Sequence, residues 1–127
     1  MSALDPADVV RALWERMEAR DWDGVAAQLH PEVVVDWPNT AERMRGRDNY
    51  LAVQRAYPEG WHIEVLRIVD AGDRVVSEVR VDHQGERFFA ASFFELADGL
   101  ISRAVEYWSD GEPSPAPEWR AQWMEPL

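Results

Sequence analysis

The chain has 127 residues, 46% of them hydrophobic, enough for one domain with one core over residues 1–127. Its formal net charge of −11 argues against nucleic acid or an anionic membrane surface as a partner. There is no Cys, and all 13 basic residues are Arg, so disulfides, thiol nucleophiles, lysine Schiff bases and pyridoxal-phosphate attachment are excluded, and the reducing cytoplasm fits.

From the start, Met1 to Asp8 has neither the basic region nor the apolar stretch of a signal peptide, and no run nears the ~20 apolar residues of a membrane span. A cytoplasmic protein without membrane segments is expected. Asp5-Pro6 opens a first helix, with an N-cap acceptor and then Pro at the first helical position. Val9, Val10, Leu13, Trp14 and Met17 recur at helical spacing. Val25, Ala26 and Leu29 predict a short second helix ended by His30-Pro31. Val33 to Trp37 is a β-branched strand stopped by Pro38, and Asn39 to Gly46 reads as a loop or small hairpin. A third helix runs from about Asp48 to Tyr57, with Leu51, Ala52 and Ala56 on one side.

Four strands follow almost without interruption: Trp61 to Val69, Arg74 to Asp82, Arg87 to Leu96 and Leu100 to Trp108. Their breaks, at Ala71-Gly72-Asp73, Gln84-Gly85 and Ala97-Asp98-Gly99, are short and each carries a Gly, as hairpin loops do. Glu112 to Pro117 holds three Pro and cannot be regular; Trp119 and Trp123 after it suggest a short terminal helix or turn packing down. The order is α+β: a curved antiparallel sheet wrapped around three helices of the N-terminal half. Such a sheet with helices on its concave side encloses a deep pocket, and seven Trp in so short a chain suggest that the pocket is aromatic.

Register decides what that pocket contains, because a one-residue slip exchanges the two faces of a strand. A two-residue Gln84-Gly85 turn pairs His83 with Glu86 and Val81 with Phe88, placing Ser77, Val79, Val81, Phe88, Ala90, Ser92 and Phe94 inside. A three-residue loop with a Gly bulge instead turns Arg80 and Asp82 toward the pocket. Hydrophobicity favours the first, since Val79 and Val81 belong inside.

The order of elements and its details resemble the nuclear transport factor 2-like superfamily, the cone-shaped SnoaL-like and ketosteroid isomerase-like domains. The resemblance spans most of the chain: Arg20-Asp21-Trp22-Asp23-Gly24-Val25, Val33 to Pro38, Gly46-Arg47-Asp48, Gln84-Gly85, Asp98-Gly99-Leu100-Ile101 and Glu106-Tyr107-Trp108. It implies a fold that hosts isomerases, cyclases, dehydratases, epoxide hydrolases and non-catalytic binders. The isomerases' helix-1 tyrosine falls near Leu13 or Trp14, their first aspartate on Trp37 with Asp36 one residue off, and their second on Ser92 or Phe94; none is retained. Arg80-Val81-Asp82, with Glu106, matches the Arg-x-Asp pair and last-strand acid of the epoxide hydrolases.

Glu106, between Ala104 and Trp108 on one strand face, is the candidate catalytic residue, an acid–base group with its pKa raised by burial; the alternative is an outward acid in an ion pair. Trp14, Trp37, Asn39, Tyr57, Trp61, His83, Phe88, Ser92, Phe94 and Trp108 are the candidate substrate-binding residues. No third ligand joins His62 and Glu64, so no metal is expected, and no nucleotide or phosphate motif implies a cofactor. The expected function is binding of a small apolar or aromatic molecule. It extends to cofactor-independent isomerase, cyclase, dehydratase or hydrolase chemistry, with a non-catalytic binder or protein-interaction module of the same fold as the alternative. Phe89, Ala91 and Phe93 on the outer face suggest a homodimer.

Overall fold

In the computed structural model, which describes residues 5–127, Asp5 opens the first helix through its main-chain carbonyl, which accepts from the N–H groups of Asp8 and Val9; its side chain makes no cap bond. This helix, α1 (Pro6–Glu18), buries the stripe Val9, Val10, Leu13, Trp14 and Met17. Arg20 follows in the left-handed region (φ 58°), where it ends the helix and sends the chain into α2 (Trp22–Ala26). The Asp21 carboxylate caps α2 by accepting from the Gly24 N–H at 3.0 Å, and a side chain at position 24 would collide with it.

The second helix is shorter than its sequence pattern suggests. Leu29 already belongs to β1 (Leu29–Trp37), paired with Ile101, because its side chain finds more cover in the sheet than on a two-turn helix. The hairpin option for 39–46 is the one realised, as β2 (Glu42–Arg45) pairs antiparallel with β1. The face of α3 (Arg47–Ala56) differs from expectation: Tyr50 is buried and Leu51, Val53 and Gln54 are half-buried, whereas Ala52 and Ala56 face solvent. A large aromatic gains more from burial than two alanines lose by exposure.

β3 (His62–Asp70), β4 (Val75–His83), β5 (Glu86–Ala97) and β6 (Leu100–Trp108) form the antiparallel meander. Gln84-Gly85 and Asp98-Gly99 are two-residue turns with both φ values positive (52° and 80°, 55° and 77°), the hairpin geometry whose twist matches the strands. The first of these turns sets His83 opposite Glu86 and Val81 opposite Phe88, the register that hydrophobicity favours. The complete sheet has the order β2-β1-β6-β5-β4-β3, and β1 lies parallel to β6, its one parallel pairing among the described residues. α1 packs on β3 and β4 and α3 on β1 and β2, so the helices fill the hollow of the curved sheet. β3 is a free edge carrying a bulge at Leu66, between Val65 and Arg67.

The terminal Trp pair does not pack down. Trp119 and Trp123 lie on a 3₁₀ turn (Glu118–Trp123) and are 73% and 72% exposed, because the proline-rich segment before it holds the chain away from the core. No helix among the described residues is long and apolar enough to cross a membrane.

Candidate functional site

Curvature and register together leave a cavity of about 460 Å³ between the sheet and the helices. Buried Trp14, Met17, Tyr50, Trp61, Val81 and Glu106 form its floor; exposed Asn39, Thr40, Tyr57, Glu86, Ser109 and Asp110 mark its mouth. Gln54, Ile63, Phe88, Trp37, Trp108 and Gly111 complete the wall.

Glu106 stands at the centre of the polar part of this floor and is 2% exposed. β6 pairing with β5 sets it opposite Ser92, whose hydroxyl donates to one carboxylate oxygen at 2.7 Å. The other oxygen accepts from the Trp37 indole N–H at 3.0 Å, delivered by the neighbouring β1. Burial pushes the Glu106 carboxyl above its ordinary range, and the two hydrogen bonds only partly oppose this. Among the described residues no Arg or His lines the cavity, so the acid has no cationic partner among them there. Tyr50 is held well above the usual phenol range, first by burial and then by the Glu106 charge, so it stays a protonated donor. Ser77, opposite Ser92, accepts from the Trp14 indole N–H at 3.0 Å and so fixes the deepest ring.

Of the residues singled out from the sequence, Trp14, Trp37, Asn39, Tyr57, Trp61, Phe88 and Trp108 line the cavity with Glu106. Three do not. His83 lies outside, its ring 5.5 Å from that of Tyr57 and its Nε2 at 3.2 Å from the Glu59 carbonyl, since a hairpin-end residue cannot reach inward past the rim. Ser92 contributes by holding Glu106, and Phe94 packs edge-on beneath Trp14 at 6.4 Å as core. Tyr50, Gln54, Met17 and Ile63 are lining residues that the sequence reading did not select. A 50, 53, 54, 57 spacing on α3 carried the signal for the first two.

The Arg-x-Asp option fails on register. Arg80 and Asp82 face outward, where Arg80 pairs with Glu64 at 2.7 Å and with Asp82 at 3.3 Å, and Arg87 pairs with Asp82 at 3.1 Å. Asp36 also faces out, gripped by Arg43 (Nε, 2.6 Å) and Arg103 (2.7 Å), and the Arg43 hydrogen bond holds its carboxyl below the usual range. Among the described residues no three His, Cys, Asp or Glu side chains converge as metal ligands.

The SnoaL-like domain matches residues 10–104, three-quarters of the chain. The chain belongs to the SnoaL-like family. Its fold is that of the nuclear transport factor 2-like superfamily, as solved structures also show. A protein of Kribbella flavida DSM 17836, provisionally named a ketosteroid isomerase, is 29% identical and superposes with a TM-score of 0.87, over 96% of this chain and 89% of its own. A nuclear transport factor 2-like protein of unknown function from Burkholderia xenovorans LB400 is 28% identical, with a TM-score of 0.78 over 96% and 94% of the two chains. An epoxide hydrolase of the LEH-like type from M. tuberculosis, 24% identical with a TM-score of 0.70 over 82% of each chain, shares the fold. No curated protein matches. In this SnoaL-like domain the carboxylate of the cavity floor, Glu106, comes from β6.

Proposed function

We propose that this SnoaL-like domain binds a small, largely apolar molecule and moves a proton on it, with Glu106 as a single acid–base group. The observation that carries this is a carboxylate 2% exposed, in the floor of an open cavity, with neutral donors only. Burial raises its pKa above the ordinary carboxylate range, which makes it a stronger base for the proton it takes and holds. Tyr50 shares the floor and remains protonated, suited to donate to an oxygen that gains charge. The step is removal of a proton from a carbon beside a carbonyl by the Glu106 carboxylate. The C–H electron pair moves into the new double bond as the carbonyl oxygen becomes an oxyanion. Where the substrate carries a β,γ double bond, the oxyanion pair re-forms the carbonyl, the enolate double bond shifts to the α,β position, and the former β,γ pair takes the proton back from Glu106 at the γ-carbon, giving the conjugated isomer. Hydrolysis through a second acid is disfavoured, because Arg80 and Asp82 are committed to outer ion pairs.

The test is hydrogen–deuterium exchange at the α-carbons of a panel of apolar ketones in D2O, followed by NMR. The wild-type protein is expected to speed exchange, and Glu106→Gln to lose about 10²–10⁴-fold of it while retaining binding. Equal exchange by the two proteins sinks the catalytic reading. A second reading has its own support. The bonds from Trp37 and Ser92 also make Glu106 a strut that ties β1 to β5 and β6. Under that reading the cavity binds without turnover, and Glu106→Gln changes stability alone.

The outer sheet face supports pairing with a second copy: Phe89, Phe93 and Tyr107 are 42%, 39% and 52% exposed, and Phe93 meets Tyr107 edge-on at 6.1 Å. Light scattering is expected to give a dimer that Phe93→Glu converts to a monomer. A monomeric wild type removes this part of the proposal.

A further inference from the structure

The cavity is one-sided in charge. Its lining contains three ionisable carboxylates, Glu106 in the floor and Glu86 and Asp110 at the mouth, and no Arg or His among the described residues. The remainder of the wall is dominated by aromatic rings: Trp14, Trp37, Trp61 and Trp108, with Tyr50, Tyr57 and Phe88. The faces of such rings are negative and attract cations, most strongly where water is excluded. One ring already does so, since the Arg20 guanidinium lies 3.3 Å from the centroid of Trp61, and Arg20 itself is not part of the lining. Position 111 strengthens the rim. A side chain there would collide with the Glu86 carboxylate, so the glycine lets Glu86 lie against the backbone beside Asp110.

Resting on the reading of this cavity as a ligand site, we infer that its ligand is an organic cation: a protonated amine or quaternary ammonium carried on an apolar skeleton. Every ionisable acid or base that such a head group meets in the lining is a carboxylate, and most of the wall around it is aromatic. A carboxylate or a phosphate ester finds no basic side chain in the lining, and only neutral donors, the Tyr50 hydroxyl and the Trp61 and Trp108 indole N–H groups, to set against its lost hydration and the three carboxylates. The neutral body of the ligand fills the apolar wall formed by Met17, Ile63 and Val81.

Three probes of one shape separate the possibilities: benzyltrimethylammonium, its uncharged isostere neopentylbenzene, and phenylacetate. Binding is read from quenching of tryptophan fluorescence in the wild-type protein and checked by NMR line broadening. The cation is expected to bind about tenfold tighter than the isostere, and phenylacetate more weakly than both. Tyr57→Leu, which alters an exposed ring at the mouth and not the core, is expected to erase part of the cation's advantage while leaving the affinity for neopentylbenzene within about threefold. Neopentylbenzene binding as tightly as the cation overturns the inference and leaves the ligand site standing. Preferred binding of phenylacetate overturns it as well. Failure of all three to bind removes both the inference and the ligand-site reading. Loss of Glu106-dependent exchange, by contrast, touches only the catalytic proposal.

Discussion

The two faces of the sheet treat acidic side chains in opposite ways. On the outer face each of several carboxylates meets an arginine: Asp36 with Arg43 and Arg103, Glu64 with Arg80, Glu78 with Arg67, and Asp82 with Arg80 and Arg87. On the inner face Glu106 meets an indole N–H and a serine hydroxyl, and no cation. The consequence is visible in the protonation equilibria, since Asp36 is pulled below its ordinary range and Glu106 is pushed above it. A charge that serves only the fold is cheaply satisfied at the surface by an oppositely charged neighbour. A buried acid left without one is kept at a cost to stability, which is why it draws a functional explanation.

The largest expected contrast lies between adjacent residues of β5. Phe94 is 1% exposed beneath Trp14, whereas Phe93 is 39% exposed on the outer face. Urea unfolding of Phe94→Ala is expected to show a loss of about 3–5 kcal/mol from the cavity it leaves. Phe93→Ala, measured on the monomer, should cost less than about 1 kcal/mol. Similar losses at the two positions would erase the distinction between faces.

The pH dependence of stability sharpens the comparison further, because the two acids have opposite signs. Glu106 has a folded pKa above its unfolded value, so the unfolded chain releases its proton first and stability falls as pH rises from the ordinary carboxylate range through the raised value. Glu106→Gln removes that slope, and its melting temperature should gain on the wild type as pH increases. Asp36 has a folded pKa below its unfolded value, so its contribution is present at neutral pH and disappears as pH falls through the acid range. Asp36→Asn should therefore be less stable than the wild type at pH 7 and should converge with it in strong acid. Parallel slopes for the two variants would contradict the assignment of faces.

The smallest effect is expected at Asp82, whose pairs with Arg80 and Arg87 are partly solvated. Asp82→Asn should change unfolding free energy by no more than about 1 kcal/mol and leave ligand binding unaltered. A large loss of binding would mean that the Arg-x-Asp pair reaches the cavity after all.

Much of this arrangement was legible in the chain because it is local. The Gln84-Gly85 and Asp98-Gly99 turns announce their two-residue geometry, and alternation of Val79 and Val81 with charged residues then sets which face of β4 is buried. Glu106 stands out as a candidate inward acid because its small and aromatic neighbours alternate with it, although the chain alone leaves an outward ion pair open. The failures lie where the deciding contact is distant. Nothing near Leu29 states that Ile101 waits beside it, so Leu29 reads as the end of a helix rather than the first residue of β1. α3 has few strongly apolar residues, so Tyr50 reads as no more buried than Leu51 or Ala52 until the opposing wall supplies its cover. His83 has the chemistry of a site residue, but at the hairpin end its ring meets Tyr57 and the Glu59 carbonyl instead of the cavity. The terminal tryptophans have the composition of a core segment and no surface within reach.

The bulge at Leu66 has a consequence for the molecule in crowded solution. β3 presents its open backbone edge to solvent, and an unbroken edge of that length is a template on which strands from other molecules can stack into cross-β fibrils. The extra residue interrupts the ladder, so the edge offers two short stretches in place of one long one. Self-association through this edge into open-ended polymers is thereby disfavoured.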